Sequence, residues 1–220
     1  MERRLDQDLD RIRQYLLRMA GEVESMVAMA TQALLERRGE LSSEVIANDK
    51  VVDQLEIEID EFCHSVLGRK QPTAVDLRFL VAVMKINSDL ERIGDSAVNI
   101  AQSVEQLITQ PPLKPYIDLP HLSELVQEMV RKSLDAFVRR DTALATAVCE
   151  SDDAVDGLYK QLFRELLTYM IEDARNITAC THLLFMAKNI ERIGDHATNI
   201  AEDVIYYVEG RDVRHSVSKA

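Results

Sequence analysis

The chain has no tryptophan, three cysteines, seven glycines and five prolines, and aromatic residues make up only 5% of it. So little turn punctuation argues against a fold of many short strands and predicts a mostly helical protein. Cys63, Cys149 and Cys180 are far apart and odd in number, with no C-x-x-C. That pattern excludes a dense disulfide scaffold and predicts buried, reduced thiols. No apolar run outlasts Phe79 to Met84, whereas a membrane span needs roughly 20 residues. The opening MERRLDQDLDRIRQ lacks the apolar core of a secretory signal. An excess of basic residues is missing too. Net charge is −12, which makes nucleic acid and anionic lipid poor partners and favours metal cations or basic protein surfaces. Any contact with a membrane is expected to be indirect, through a partner.

What is present is 46% hydrophobic and 29% charged residues, the balance of a globular chain with a true core. Leu5, Leu9, Ile12, Leu16, Met19, Val23, Met26 and Ala30 recur at three- and four-residue steps and predict a long amphipathic helix. Gly39 interrupts it. A second helix runs through Val45, Val52, Leu55 and Ile59, with Gly68 as its expected C-cap. Thr73 and Asp76 have capping-box spacing and open a third helix over about 74–109. Pro111, Pro112, Pro115 and Pro120 mark a linker that is expected not to be helical. Three further helices are expected over about 121–139, 141–173 and 178–209, with Gly210 at the last C-terminus.

The second half repeats the first. A shift of 103 places Met26 on Met129, Asp49 on Asp152 and Asp53 on Asp156. By the third helix the shift is 100, so three residues are lost in the loop between. Length changes confined to a loop between matched helices are the mark of a tandem duplication. The expected fold is therefore all-α: two tandem three-helix bundles. Residues 1–110 form the first, 111–120 a proline-rich linker, 121–210 the second and 211–220 a polar, frayed tail.

The pentapeptide ERIGD occurs twice, at Glu91–Asp95 and Glu191–Asp195. Its Glu and Asp are like charges one helical turn apart, and its glycine weakens a helix. The second helix of each half adds another pair, Asp49 with Asp53 and Asp152 with Asp156. Residues four apart share a helix face, so two neighbouring helices can bring four carboxylates into one patch per half. Asn99 and Asn199 extend the stripe by a turn and are candidate additional ligands or supporting donors. Such a patch suits a divalent or trivalent cation with oxygen ligands: iron, Mn, Mg, Ca or Zn. The bland alternative is a solvated acidic face, the usual meaning of one such pair. Gly94 and Gly194 read as points of close helix approach. Arg92 and Arg192 lie about 100° around the helix from their Glu neighbours and are expected to reach other helices, a partner or water. His196 has Ser96 at the matching place, which argues against a histidine ligand shared by both halves. Glu61 and His64 have the spacing of a ferritin-like di-iron motif, but only once. No phosphate-binding glycine loop or legible catalytic triad is present, and no catalytic residue is assigned.

Gln71-Pro-Thr-Ala-Val-Asp-Leu-Arg78, Lys85-Ile-Asn-Ser-Asp-Leu-Glu-Arg-Ile-Gly-Asp95 and Ala187 to Glu202 resemble the two repeats of the PhoU family, over about residues 5–210. The resemblance implies a cytoplasmic, non-enzymatic negative regulator of phosphate uptake and of the phosphate-starvation regulon. It implies partners in a sensor histidine kinase and the ATPase subunit of the phosphate ABC transporter, with peripheral inner-membrane placement through them. It also implies metal binding through Asp49, Asp53, Glu91, Asp95, Asp152, Asp156, Glu191 and Asp195. A homodimer is the expected assembly. Two other readings of the same acids stand beside it: a metal-free scaffold for basic partners, and a metal-dependent hydrolase.

Overall fold

A computed structural model describes residues 4–69, 71–113 and 116–213. Its helices are α1 (Arg4–Glu36), α2 (Gly39–Arg69), α3 (Ala74–Leu107), α4 (Asp118–Arg139), α5 (Thr142–Glu172) and α6 (Ile177–Glu209). A single 3₁₀ turn, Ala174–Asn176, joins α5 to α6. No strand occurs among the described residues. The architecture is two tandem three-helix bundles, α1–α3 and α4–α6.

Local chemistry explains most helix ends. Thr73 accepts from the Asp76 amide while Asp76 accepts from the Thr73 amide, so the capping box forms with the shorter acid. Gly210, at φ +70°, closes α6 in the left-handed conformation that glycine tolerates. Three expectations change. Gly68 does not end α2, which continues through Arg69. The break between α1 and α2 falls on Arg37 at φ +55°, not on Gly39, and Arg140 repeats it at φ +55° between α4 and α5. Arg37 is held there because its guanidinium donates to the carbonyls of Ile108 and Gln110 past the end of α3, at 2.7 and 2.6 Å. Pro120 lies inside the first turn of α4, where the absent N–H would have had no helical partner.

Packing makes α3 and α6 the centre of the molecule. Each buries 17 residues, against seven in α2 and five in α5. They face each other along their whole length. Asp89 meets His196 and Lys85 meets Asp203, so the two helices run antiparallel. α1 and α4 pair beside them, tied by the Thr31 and Ser123 hydroxyls at 2.6 Å. The apolar side chains of both halves form one continuous core. Phe79, Phe137 and Tyr207 join α3, α4 and α6 with ring centroids 5.6–6.0 Å apart. Val213, past the last helix, is 6% exposed and packs onto this core rather than fraying. The rest of the expected tail, 214–220, lies outside the described residues.

The two mid-helix glycines are contact points. A Cβ on Gly94 would stand 3.4 Å from Val52 of α2 and 4.0 Å from Met26 and Val23 of α1. On Gly194 it would stand 3.3 Å from Val155 and 3.4 Å from Val126. Each ERIGD glycine is thus where three helices of one bundle come closest, and the local helix penalty is offset by packing.

Candidate functional site

Where α2 crosses α3, Asp49, Asp53, Glu91 and Asp95 come within electrostatic reach of one another. The pKa of Asp49 is raised by burial, then by Asp53 and Asp95. Glu91 is raised by burial and then by Asp95, an effect that Arg92 opposes. Glu56 joins this patch, raised by burial and by Asp60, Asp53 and Asp95. Sequence reading passed over Glu56 because its repeat counterpart is Tyr159, so the duplication gave no signal for it. Asn87 of α3 fixes the far edge, donating to the Glu56 carbonyl and to Asp60 at 3.0 and 3.1 Å.

Arg92 corrects its expected place. Its guanidinium folds back over its own helix, 3.4 Å from Glu91 and 3.6 Å from Asp95. A long side chain can wrap the 100° that separates neighbouring residues on a helix. It remains half in solvent and, among the described residues, is the cation that acts on both Glu91 and Glu56.

The α5–α6 crossing gathers Asp152, Asp156, Glu191 and Asp195. Burial raises Asp152, followed by Asp156; a Thr198 hydroxyl at 3.4 Å opposes the shift. Asp195 is raised by partial loss of solvent and then by Glu191 and Asp152. This patch differs from the first in its counter-charges. Lys160 binds Asp156 at 2.8 Å, and Lys188 binds Glu191, which is only 7% exposed. The matching positions in the first half are Ile57 and Ser88. Burial is the largest influence on the Lys188 pKa and lowers it, but the hydrogen bond to Glu191 and the charges of Glu191 and Asp195 together keep it raised.

Asn99 and Asn199 are not among the groups acting on either set of carboxylates. Both line grooves between α3 and α6, and Asn199 donates to Asp89 at 3.2 Å. His196 likewise serves the contact between bundles, through Asp89 at 2.8 Å. Among the described residues no three His, Cys, Asp or Glu side chains converge tightly enough to ligate one ion. The oxygen-only donor sets fit a hard cation in chemistry, and closing on one requires side-chain rotation. Cys63 and Cys149 are ill suited to nucleophilic work, since burial pushes their thiols to about 12 and about 11.

A family model described as the PhoU domain matches twice, over residues 16–104 and 119–204. The chain belongs to the PhoU family. The two PhoU matches cover one bundle each, and their third helices hold the two ERIGD segments. A phosphate-specific transport system accessory protein PhoU homolog of Aquifex aeolicus is 46% identical over 212 residues, 96% of each chain. The crystal structure of PhoU from Pseudomonas aeruginosa superposes with a TM-score of 0.92 at 42% identity, covering 94% of this chain and 100% of that one. The phosphate transport system regulatory protein PhoU of Streptococcus pneumoniae gives 0.89 at 28% identity, over 96% and 99%.

Proposed function

We propose that this chain is a non-enzymatic accessory protein of a phosphate uptake system, and a negative regulator of that uptake and of the phosphate-starvation response. It acts as a helical adaptor in the cytoplasm between the ATPase subunit of the phosphate ABC transporter and a sensor histidine kinase. The observation that carries this reading is family membership along both halves, with relatives named as accessory and regulatory proteins of phosphate transport. No helix among the described residues is long and apolar enough to cross a membrane, in keeping with indirect membrane contact. A homodimer remains the proposed assembly.

The acidic patches supply the working surface. Asp49, Asp53, Glu91 and Asp95 would hold a cation in the first half, and Asp152, Asp156, Glu191 and Asp195 in the second. A bound divalent or trivalent ion supplies positive charge that the first patch, among the described residues, otherwise draws from Arg92 alone. Without it, the patch presents strong negative charge to partners. The second patch already has Lys160 and Lys188, so the first is expected to bind more tightly. Isothermal titration of Mn²⁺ or Mg²⁺ into chelator-stripped protein tests this. Glu91→Gln with Asp95→Asn should abolish the tighter phase and leave the weaker one. Equal binding by variant and wild type would sink the metal reading. Deletion of the gene, read with a phosphate-starvation promoter reporter, tests the regulatory reading: expression should persist in phosphate-rich medium.

A further inference from the structure

The antiparallel α3 and α6 are related by the internal repeat, and two grooves run between them. Under the shift of 100 the two grooves are mates. Lys85, Ser88, Asp89, Asn199, Glu202 and Asp203 line one. Phe185, Lys188, Asn189, Asn99, Gln102 and Ser103 stand at the same places in the other. The exchanges are directional: Asp89 becomes Asn189, Glu202 becomes Gln102, Asp203 becomes Ser103. Three carboxylates are lost with little change of shape.

Polar groups of the first groove pair with one another or with a neighbour. Lys85 pairs with Asp203 at 2.6 Å and His196 with Asp89 at 2.8 Å. In the mate, Phe185 stands where Lys85 would be and is 60% exposed. Ser96 replaces His196 and donates to the Arg92 carbonyl instead. Asn189, 8% exposed, therefore has a buried side-chain oxygen that accepts no hydrogen bond, while its amide donates to the Phe185 carbonyl. That donation fixes which end of the amide is the oxygen. Arg192 borders this groove and, unlike Arg92, makes no ion pair among the described residues. The open groove is about 670 Å³, against about 330 Å³ for its mate. Its charged lining is Arg192 and Lys188, the latter already bound to Glu191, against Glu105, in a chain of net charge −12.

The apolar character continues onto α5. The Lys188 ammonium lies over Tyr159, and Tyr159 packs on the half-exposed Phe163. The first half has Glu56 and Asp60 at those positions.

We propose that this groove docks an acidic, partly apolar peptide segment of a partner protein. An acidic side chain pairs with Arg192, and apolar ones cover Phe185 and Phe163. Charge complementarity selects this occupant: Arg192 is a cation with no ion pair among the described residues, in a groove that has lost the three carboxylates of its mate, and steering favours an acidic contact there. The inference rests on the adaptor reading and names one of its contact surfaces.

The probe is a fluorescent synthetic helix of about 15 residues, roughly four turns, with Glu on one face and Leu and Phe on the other. Anisotropy is read with the full chain at low salt. Saturable one-to-one binding is expected, weakened at least about tenfold by Arg192→Glu and by Gln102→Glu. Arg69→Glu, at the exposed end of α2, should bind as wild type does, and a helix with Lys in place of Glu should not bind. Circular dichroism checks that each variant is folded. Equal binding of acidic and basic helices, or equal loss with Arg69→Glu, would overturn the proposal. So would Arg192-dependent binding of inorganic phosphate without the acidic helix, or Arg192-dependent self-association in its place. The metal titration reads the α2–α3 patch, so either result can fail without the other.

Discussion

A methyl group added at Gly94 enters ordinary van der Waals contact with Val52, while at Gly194 it is wedged between Val155 and Val126. Alanine gains up to about 1 kcal/mol of helix propensity over glycine. Gly94→Ala is therefore expected to stabilise the protein by about 0.5–1 kcal/mol. Gly194→Ala is expected to be neutral or destabilising by about 1 kcal/mol, since close-packed walls resist added volume. Denaturant midpoints of the two variants check the ordering. The carboxylates titrate in a predictable sense. Asp49, Glu56, Glu91, Asp152 and Asp195 all have raised pKa values when folded. A raised carboxyl favours the folded state most while protonated. Its contribution is complete below the usual value of about 4 and is lost as pH rises through the folded value. Chelator-treated protein should thus melt at a higher temperature at about pH 5 than at pH 7. Glu91→Gln with Asp95→Asn should flatten that difference, and scanning calorimetry reads both.

Helix periodicity and end chemistry were legible wherever a residue acts through its own backbone. The Thr73–Asp76 box and Gly210 could be read directly because their partners lie within four residues. Thr73→Ala is expected to cost about 1 kcal/mol, as a lower melting temperature with α3 still formed. Arg37 and Arg140 were not legible as left-handed residues. Arg37 is held by carbonyls some 70 positions away, and local sequence does not contain that partner. Gly68 shows the converse, a favourable cap passed over because α2 remains supported by α1 and α3. The acid pairs were visible as i,i+4 spacing. Glu56, Lys160 and Lys188 were passed over because each lacks a counterpart in the other repeat, although Lys160 pairs with Asp156 at i,i+4 and Lys188 with Glu191 at i,i+3 on its own helix.

One continuous core runs through both bundles. Heating is therefore expected to give a single cooperative transition, not two, with calorimetric and van't Hoff enthalpies in agreement. Residues 1–113 alone should lose that cooperativity, because the face of α3 that packs on α6 would lie open to water. Two separated transitions, or a half-chain that melts like the whole, would contradict a shared core.

The amino-acid sequence by itself determined six helices, their duplication and the eight acids at matched positions. Those follow from spacing along one chain, where 3.6 residues per turn sets which side chains share a face. The tertiary structure decided the rest. It folded Arg92 over its neighbours and left Arg192 beside an open groove. It also set Lys160 of α5 to act on Glu191 of α6 in one acidic patch, and Glu56 of α2 on Glu91 of α3 in the other. Charge interactions depend on distance in space and on the loss of water. Two copies of one motif therefore acquire different chemistry from the helices packed against them.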